Sequence, residues 1–221
     1  MDITRKNMIK NKDLKRRIIE ISYKHNLSHL GSCITAVDII SEIYDQKKFD
    51  EPFVLSAGHA GLALYVVLEK NGGRNAEDIF LHHGVHPDRC SDCGIVCSTG
   101  SLGQGLPIAV GMALADRKKN VYCLISDGEM AEGSIWEALR IYREQKLENL
   151  KVYLNFNGWA AYKQIKRIPG LDEYLKMDHL LTINPVDTTT LLDQFPFLKG
   201  QDAHYYVMNE DDYKLAMEVL K

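Results

Sequence analysis

Two polar clusters thirty residues apart, Asp127-Gly128-Glu129 and Asn157-Gly158-Trp159, carry the side chains of this 221-residue chain best suited to hold a charged ligand. Each ends a short apolar run, Val121–Ile125 in one case and Leu150–Leu154 in the other. A carboxylate, an amide oxygen and a turn carbonyl are hard oxygen donors. Magnesium takes only one or two carboxylates and completes its octahedron with phosphate oxygens and water. A single Asp therefore leaves room for a diphosphate, and Gly128 lets the backbone approach it with no side chain between. The plainer alternative is a β-α-β turn in which Asp127 only caps a helix.

Three histidines stand in loops ahead of this unit. His29 lies in Ser28-His29-Leu30-Gly31, and His86 in Gly84-Val85-His86-Pro87. His59 sits within Ala57-Gly58-His59-Ala60-Gly61, where a strand pattern over 53–56 gives way to an apolar helix over 62–68. A helix start favours negative charge, and a ring N–H adds a directed donor for an anion. A glycine-rich run, Ser98-Thr99-Gly100-Ser101-Leu102-Gly103-Gln104-Gly105, precedes an apolar helix over 106–115.

The elements that must position these groups follow from periodicity. Leu14, Ile18, Ile19 and Tyr23 mark an amphipathic helix over 10–25. Thr35 is expected to cap a second helix bearing Val37, Ile40, Ile43 and Tyr44. A helical pattern over 134–145 separates the two central strands, and a right-handed crossover would bring Asp127 and Asn157 to one sheet edge. Ligands of open parallel sheets bind at that edge. A further strand is expected over 180–184 and a last helix ending near Leu220.

Asp-Gly, about thirty residues, then a strand-ending Asn resembles the thiamine diphosphate signature of the transketolase superfamily. The text from Asp127 through Glu132 to Glu137 is similar to transketolases, and Thr99-Gly100-Ser101-Leu102-Gly103-Gln104-Gly105 is nearly the family's Thr-Gly-x-Leu-Gly-Gln-Gly. Ser126 stands where the family has the first glycine of Gly-Asp-Gly; Ser28 and Leu30 flank His29 where it has Gly and Pro; Asp88 replaces a Glu after His86-Pro87. The matching motifs run from about residue 15 to 160.

The resemblance implies an α/β, three-layer αβα domain with a mostly parallel sheet over residues 1–221. It implies that His59, Asp127, Gly128, Glu129 and Asn157 hold the diphosphate end of thiamine diphosphate. Asp127, Asn157 and the Trp159 carbonyl would hold magnesium or calcium. Gly100, Ser101 and Leu102 would face the aminopyrimidine, and His29, His86 and Glu132 would serve catalysis. The family's Asp-Gly-His-Asp turn is missing, as though one β/α unit had been lost after about residue 160. Its activating glutamate belongs to a pyrimidine domain, expected here on a separate chain. The implied protein is thus the N-terminal subunit of a split transketolase, an α2β2 heterotetramer moving a two-carbon ketol unit between sugars, with Leu102, Ile135 and Trp136 meeting the partner. The missing turn tilts the substrate towards a specialised or branched sugar. The alternatives are the α subunit of a 2-oxo-acid dehydrogenase, a deoxyxylulose-phosphate-synthase-like enzyme, or a non-catalytic homologue.

A net charge of −3 gives no reason to expect nucleic acid or a membrane surface as partner. No signal-like segment or long apolar run is present, so the expected location is cytoplasmic. Cys90, Cys93 and Cys97 follow His82, His83 and His86 closely, and Cys with His at short spacing is the usual form of a zinc site. No second Cys-x-x-Cys follows, so the expectation is reduced thiols and no stoichiometric zinc.

Overall fold

The computed structural model describes residues 9–165, 181–185 and 194–221. Four strands, β1 (Phe53–Leu55), β2 (Val121–Ser126), β3 (Leu150–Phe156) and β4 (Leu181–Pro185), form one sheet in that spatial order. All three pairings are parallel, and Ser126 stands opposite Asn155. Parallel strands need crossovers, which here include helices.

Successive residues of a strand point to opposite faces, and both faces of this sheet are covered. Phe53, Leu55, Tyr122, Leu124 and Tyr153 pack with α1 (Lys12–Lys24), α2 (Leu30–Gln46), α3 (Gly61–Lys70), α4 (Ala76–His83) and the C-terminal α7 (Glu210–Val219). Val54, Val121, Cys123, Ile125, Val152 and Leu154 pack with α5 (Gly105–Ala115) and α6 (Gly133–Glu144). This is why β2 reads as an unbroken apolar run instead of an alternating one. The three layers are those the sequence predicts. Helix α7 closes against α1 through stacked Tyr23 and Tyr213 rings, 4.3 Å between centroids.

Three expectations need correction. Helix α2 starts at Leu30, so Thr35 is inside it and not its cap. Its hydroxyl donates to the Ser32 carbonyl at 3.1 Å and accepts from Asn155 Nδ2 at 3.0 Å. What starts the helix early is a distant contact, the His29 amide donating to the His204 carbonyl at 3.0 Å. Ile135, expected to face a partner, is fully buried in the α5–α6 core. Cys90 and Cys93, expected as free thiols, are joined as a disulfide, because a single tight turn over Ser91–Cys93 brings the two side chains together.

Leu124 lies at the centre of β2 between two neighbouring strands and is wholly buried. Leu124→Ala is expected to lower unfolding stability by about 2–5 kcal/mol. Urea denaturation followed by circular dichroism measures this.

Candidate active site at the carboxyl edge of the sheet

Strands β2 and β3 end side by side. The Asp127 amide donates to the Asn155 carbonyl at 3.1 Å, extending the ladder one step beyond the strand. The Asp127 carboxylate then bridges the two turns, accepting from Gly128 N at 2.9 Å and Gly158 N at 2.6 Å. It is 1% exposed. Burial lifts its pKa to about 6, against the backbone N–H groups of Gly158, Gly128 and Asn157, which pull it down. Asn157 Oδ1 accepts from Trp159 N at 3.0 Å, shaping the second turn. The sequence-predicted pair is therefore brought together through Gly158.

Glu129 is engaged by the protein itself. Its buried carboxylate accepts from Ser56 Oγ at 2.6 Å, Gly103 N at 2.9 Å and Ser126 N at 3.0 Å. Its oxygens are engaged by protein donors, so it positions the loops around it and does not reach into the cavity. Ser126, the departure from Gly-Asp-Gly, belongs to the same network through its amide and hydroxyl.

The glycine-rich loop is pinned at both ends. Thr99 Oγ1 donates to the Leu55 carbonyl at 2.7 Å, and Ser134 Oγ donates to the Gly103 carbonyl at 2.9 Å. Gly100 must be glycine on two counts. Its φ is +152°, and a Cβ there would meet the His86 ring at 3.0 Å. Ser101 is exposed and Leu102 half-buried, while Glu132 stands just before α6 with its side chain close to Gly103.

These turns enclose a cavity of about 250 Å³. Of the residues named from the sequence, His29, His59, His86, Gly100, Leu102, Gly128, Asn157 and Trp159 line it and Ser101, Asp127, Glu129 and Glu132 do not; Asn155, His204 and Tyr205 line it without having been named. His29 sits at φ +60°, a conformation uncommon for non-glycine residues, held by its bond to His204. Its ring lies 4.5 Å from that of His204 and 5.8 Å from that of His59, centroid to centroid. Burial, with the neighbouring histidines, lowers His29 to about 4 and His59 to about 3; burial lowers His204 too. These rings are neutral near pH 7.

A diphosphate with a divalent cation fits this donor set. Among the described residues, Asn155 Oδ1 and His29 Nδ1 are buried without a hydrogen-bond partner, and both residues line the cavity. Burial raises the Asp127 pKa, and a divalent cation beside it would favour its ionised form. The signal for Asn155 was present in the sequence, since strand alternation puts it on the same face as Asn157. Periodicity could not place His204 beside His29, because it arrives from the far end of the chain.

The family model for the thiamine diphosphate binding domain of transketolase matches residues 18–165. The chain belongs to that family. An apulose-4-phosphate transketolase subunit from Phocaeicola vulgatus is 34% identical over 163 residues, 65% of this chain and 58% of that protein. The corresponding subunit from Actinobacillus succinogenes is 28% identical, with 96% of this chain and 95% of that one covered. The 6-deoxy-6-sulfo-D-fructose transketolase subunit SqwG from Clostridium sp. is 33% identical over 65% of this chain and 60% of its own length. The matched part thus spans just under 60% of one such relative and nearly all of another. Among solved structures, transketolase from Leishmania mexicana superposes with a TM-score of 0.66 at 17% identity, over 96% of this chain and 44% of that one. That likeness shows the fold.

The depressed histidines make stability depend on pH with a definite sign. A base whose folded pKa is lowered contributes stability that is present above its unfolded pKa, about 6.5. This stability is lost as pH falls from there towards the folded value, about 3 for His59. His59→Gln removes this titration. Between pH 7.5 and 5 the variant is expected to lose about 2 kcal/mol less stability than the native chain. Paired urea titrations at the two pH values measure that difference, with all other titrating groups common to both proteins.

Proposed function

We propose that this chain is the diphosphate-binding subunit of a two-chain transketolase that moves a two-carbon ketol unit from a ketose donor to an aldehyde acceptor. The observation that carries the reading is the cavity itself. It joins the Asp127 and Asn157 turns to three histidines and the Gly100–Leu102 loop. In this reading Asp127, Asn157 and the Trp159 carbonyl hold magnesium, or calcium, against the diphosphate. His59 and Gly128 serve the diphosphate end, and Gly100 with Leu102 serves the aminopyrimidine end.

When bound, thiamine diphosphate supplies an electron sink for the carbanion released by carbon–carbon cleavage. The protein's part is to bind, orient and move protons. His29 and His86, which line the cavity, are assigned to the sugar hydroxyls. A neutral imidazole can donate from one nitrogen and accept at the other, which suits proton exchange with a hydroxyl. Burial keeps His29 and His59 neutral over the physiological range. Glu132, on the rim beside Gly103, is assigned to the contact with the glutamate of a partner chain. His204 and Tyr205 complete the lining beside His29.

The word subunit in the names of the relatives supports the two-chain reading. The sugars in those names, apulose-4-phosphate and 6-deoxy-6-sulfo-D-fructose, support a specialised substrate over a general pentose phosphate role. An α2β2 assembly with cofactors at the interfaces is the proposed form, and the cytoplasm the proposed location. No helix among the described residues is long and apolar enough to cross a membrane.

The decisive experiment is reconstitution. The chain alone is expected to bind thiamine diphosphate weakly and show no ketol transfer, whereas adding the complementary chain restores both. In the complex, Asp127→Ala is expected to abolish cofactor binding by calorimetry, leaving the thermal transition cooperative. Robust turnover by the chain alone, or unchanged affinity in the variant, defeats the assignment.

A further inference from the structure

The loop between α4 and the glycine-rich run holds a second cluster, away from the cavity. Cys90-Ser91-Asp92-Cys93-Gly94 forms a tight hairpin. Cys90 and Ile95 exchange both backbone hydrogen bonds at 2.9 Å, and Gly94 turns the chain in the left-handed region at φ +78°. The Cys93 amide donates to Cys90 Sγ at 3.2 Å. His83, the last residue of α4, places Nε2 3.3 Å from Cys93 Sγ. One ligand atom from each of His83, Cys90 and Cys93 lies within 4.8 Å of the other two.

We propose that, when the two thiols are reduced, His83, Cys90 and Cys93 bind a zinc ion. Two sulfurs and one imidazole nitrogen are zinc's preferred donors. Around a tetrahedral centre with bonds of about 2.0–2.3 Å, they would sit about 3.5–3.8 Å apart, within the spread found here. An N–H aimed at a sulfur favours its thiolate form, the form that ligates. Binding converts two thiols to thiolates and releases two protons to solvent. Cys97 does not join, because it packs against the opposite core with α5 and α6. The fourth position opens onto a polar surface hollow lined by His82 and Asp88, where water completes the tetrahedron.

The sequence counts against zinc because it offers only one Cys-x-x-Cys. The structure supplies the missing ligand from the end of the preceding helix. The same two sulfurs form the disulfide when oxidised, so metal and disulfide exclude each other. The consequence is mechanical: Cys93 and Ile95 are buried in the core shared with α3 and α4, and the segment between His83 and Cys90 carries His86. A metal here would fasten both ends of the segment that presents His86 to the cavity.

The test is elemental analysis of the 221-residue chain purified under reducing conditions and passed through gel filtration. About one zinc per chain is expected in the native protein and close to none in His83→Ala and in Cys93→Ser. Cobalt exchanged into the native chain should give the intense visible bands of a tetrahedral thiolate site, absent in both variants. His83→Ala removes a half-buried side chain at a helix end, so it provides a folded control if Cys93→Ser does not fold. A reduced, folded native chain without zinc, zinc that survives both substitutions, or an octahedral cobalt spectrum overturns the proposal. The measurement does not depend on thiamine diphosphate, so its result stands apart from the function proposed above.

Discussion

The carboxylate of Glu129 is the point on which the site's geometry depends. Three separate segments place donors on it: the end of β1 through Ser56, the end of β2 through Ser126, and the glycine-rich loop through Gly103. Burying a charge is expensive, and here burial does push the Glu129 pKa up. Charge-assisted hydrogen bonds offset part of that cost. The result is that the loop carrying Gly100 and Leu102 is held to the same edge that carries Asp127. Removing one partner of such a network leaves the others buried and unsatisfied, so the arrangement is hard to vary piecemeal. Ser126 fits this logic: a glycine there would keep the backbone donor and lose the hydroxyl.

From that anchor the rest of the edge follows by register. Ser126 opposite Asn155 fixes where the two strands stop, and the next residues, Asp127 and the Asn157-Gly158 turn, must then meet. Thr35 extends the lattice to α2 by accepting from Asn155 Nδ2. A helix, two strand ends and two loops are thus linked by a few buried polar contacts at the carboxyl edge of an otherwise apolar sheet.

The elements were legible in the sequence where periodicity and local chemistry agreed. The continuous apolar run of β2 and the stripe of Leu14, Ile18 and Ile19 each state their own environment. The Asp127 and Asn157 turns were legible too, because residue type and strand ending coincide. What escaped was whatever depends on distant chain. Helix α2 begins at Leu30 because His204, about 175 residues further on, caps the amide of His29. Glu129 reads as one more acid beside Asp127, and only the fold shows that Ser56 and Gly103 claim it. Ile135 is misread for a related reason, since an apolar residue near a helix start gives no hint of which way it faces until the neighbouring layer is in place.

Burial acts in one direction on His29, His59, His204 and Asp127. Desolvation lowers the bases His29, His59 and His204 and raises the acid Asp127, so each is pushed towards its neutral form. Such a cavity favours neither a lone anion nor a lone cation. A lone cation beside Asp127 would still need more oxygen donors than one carboxylate and Asn157 provide. A lone diphosphate would meet neutral rings and, at Asp127, a buried acid that offers it no positive charge. A diphosphate paired with a divalent cation would satisfy both, since a cation beside Asp127 would favour its ionised form. On the proposed reading the pair would bind together, and the affinity for each would be coupled to the presence of the other. In that reading the single carboxylate at the strand end would impose the coupling: a second would hold the cation alone, and none would leave the diphosphate facing only uncharged donors.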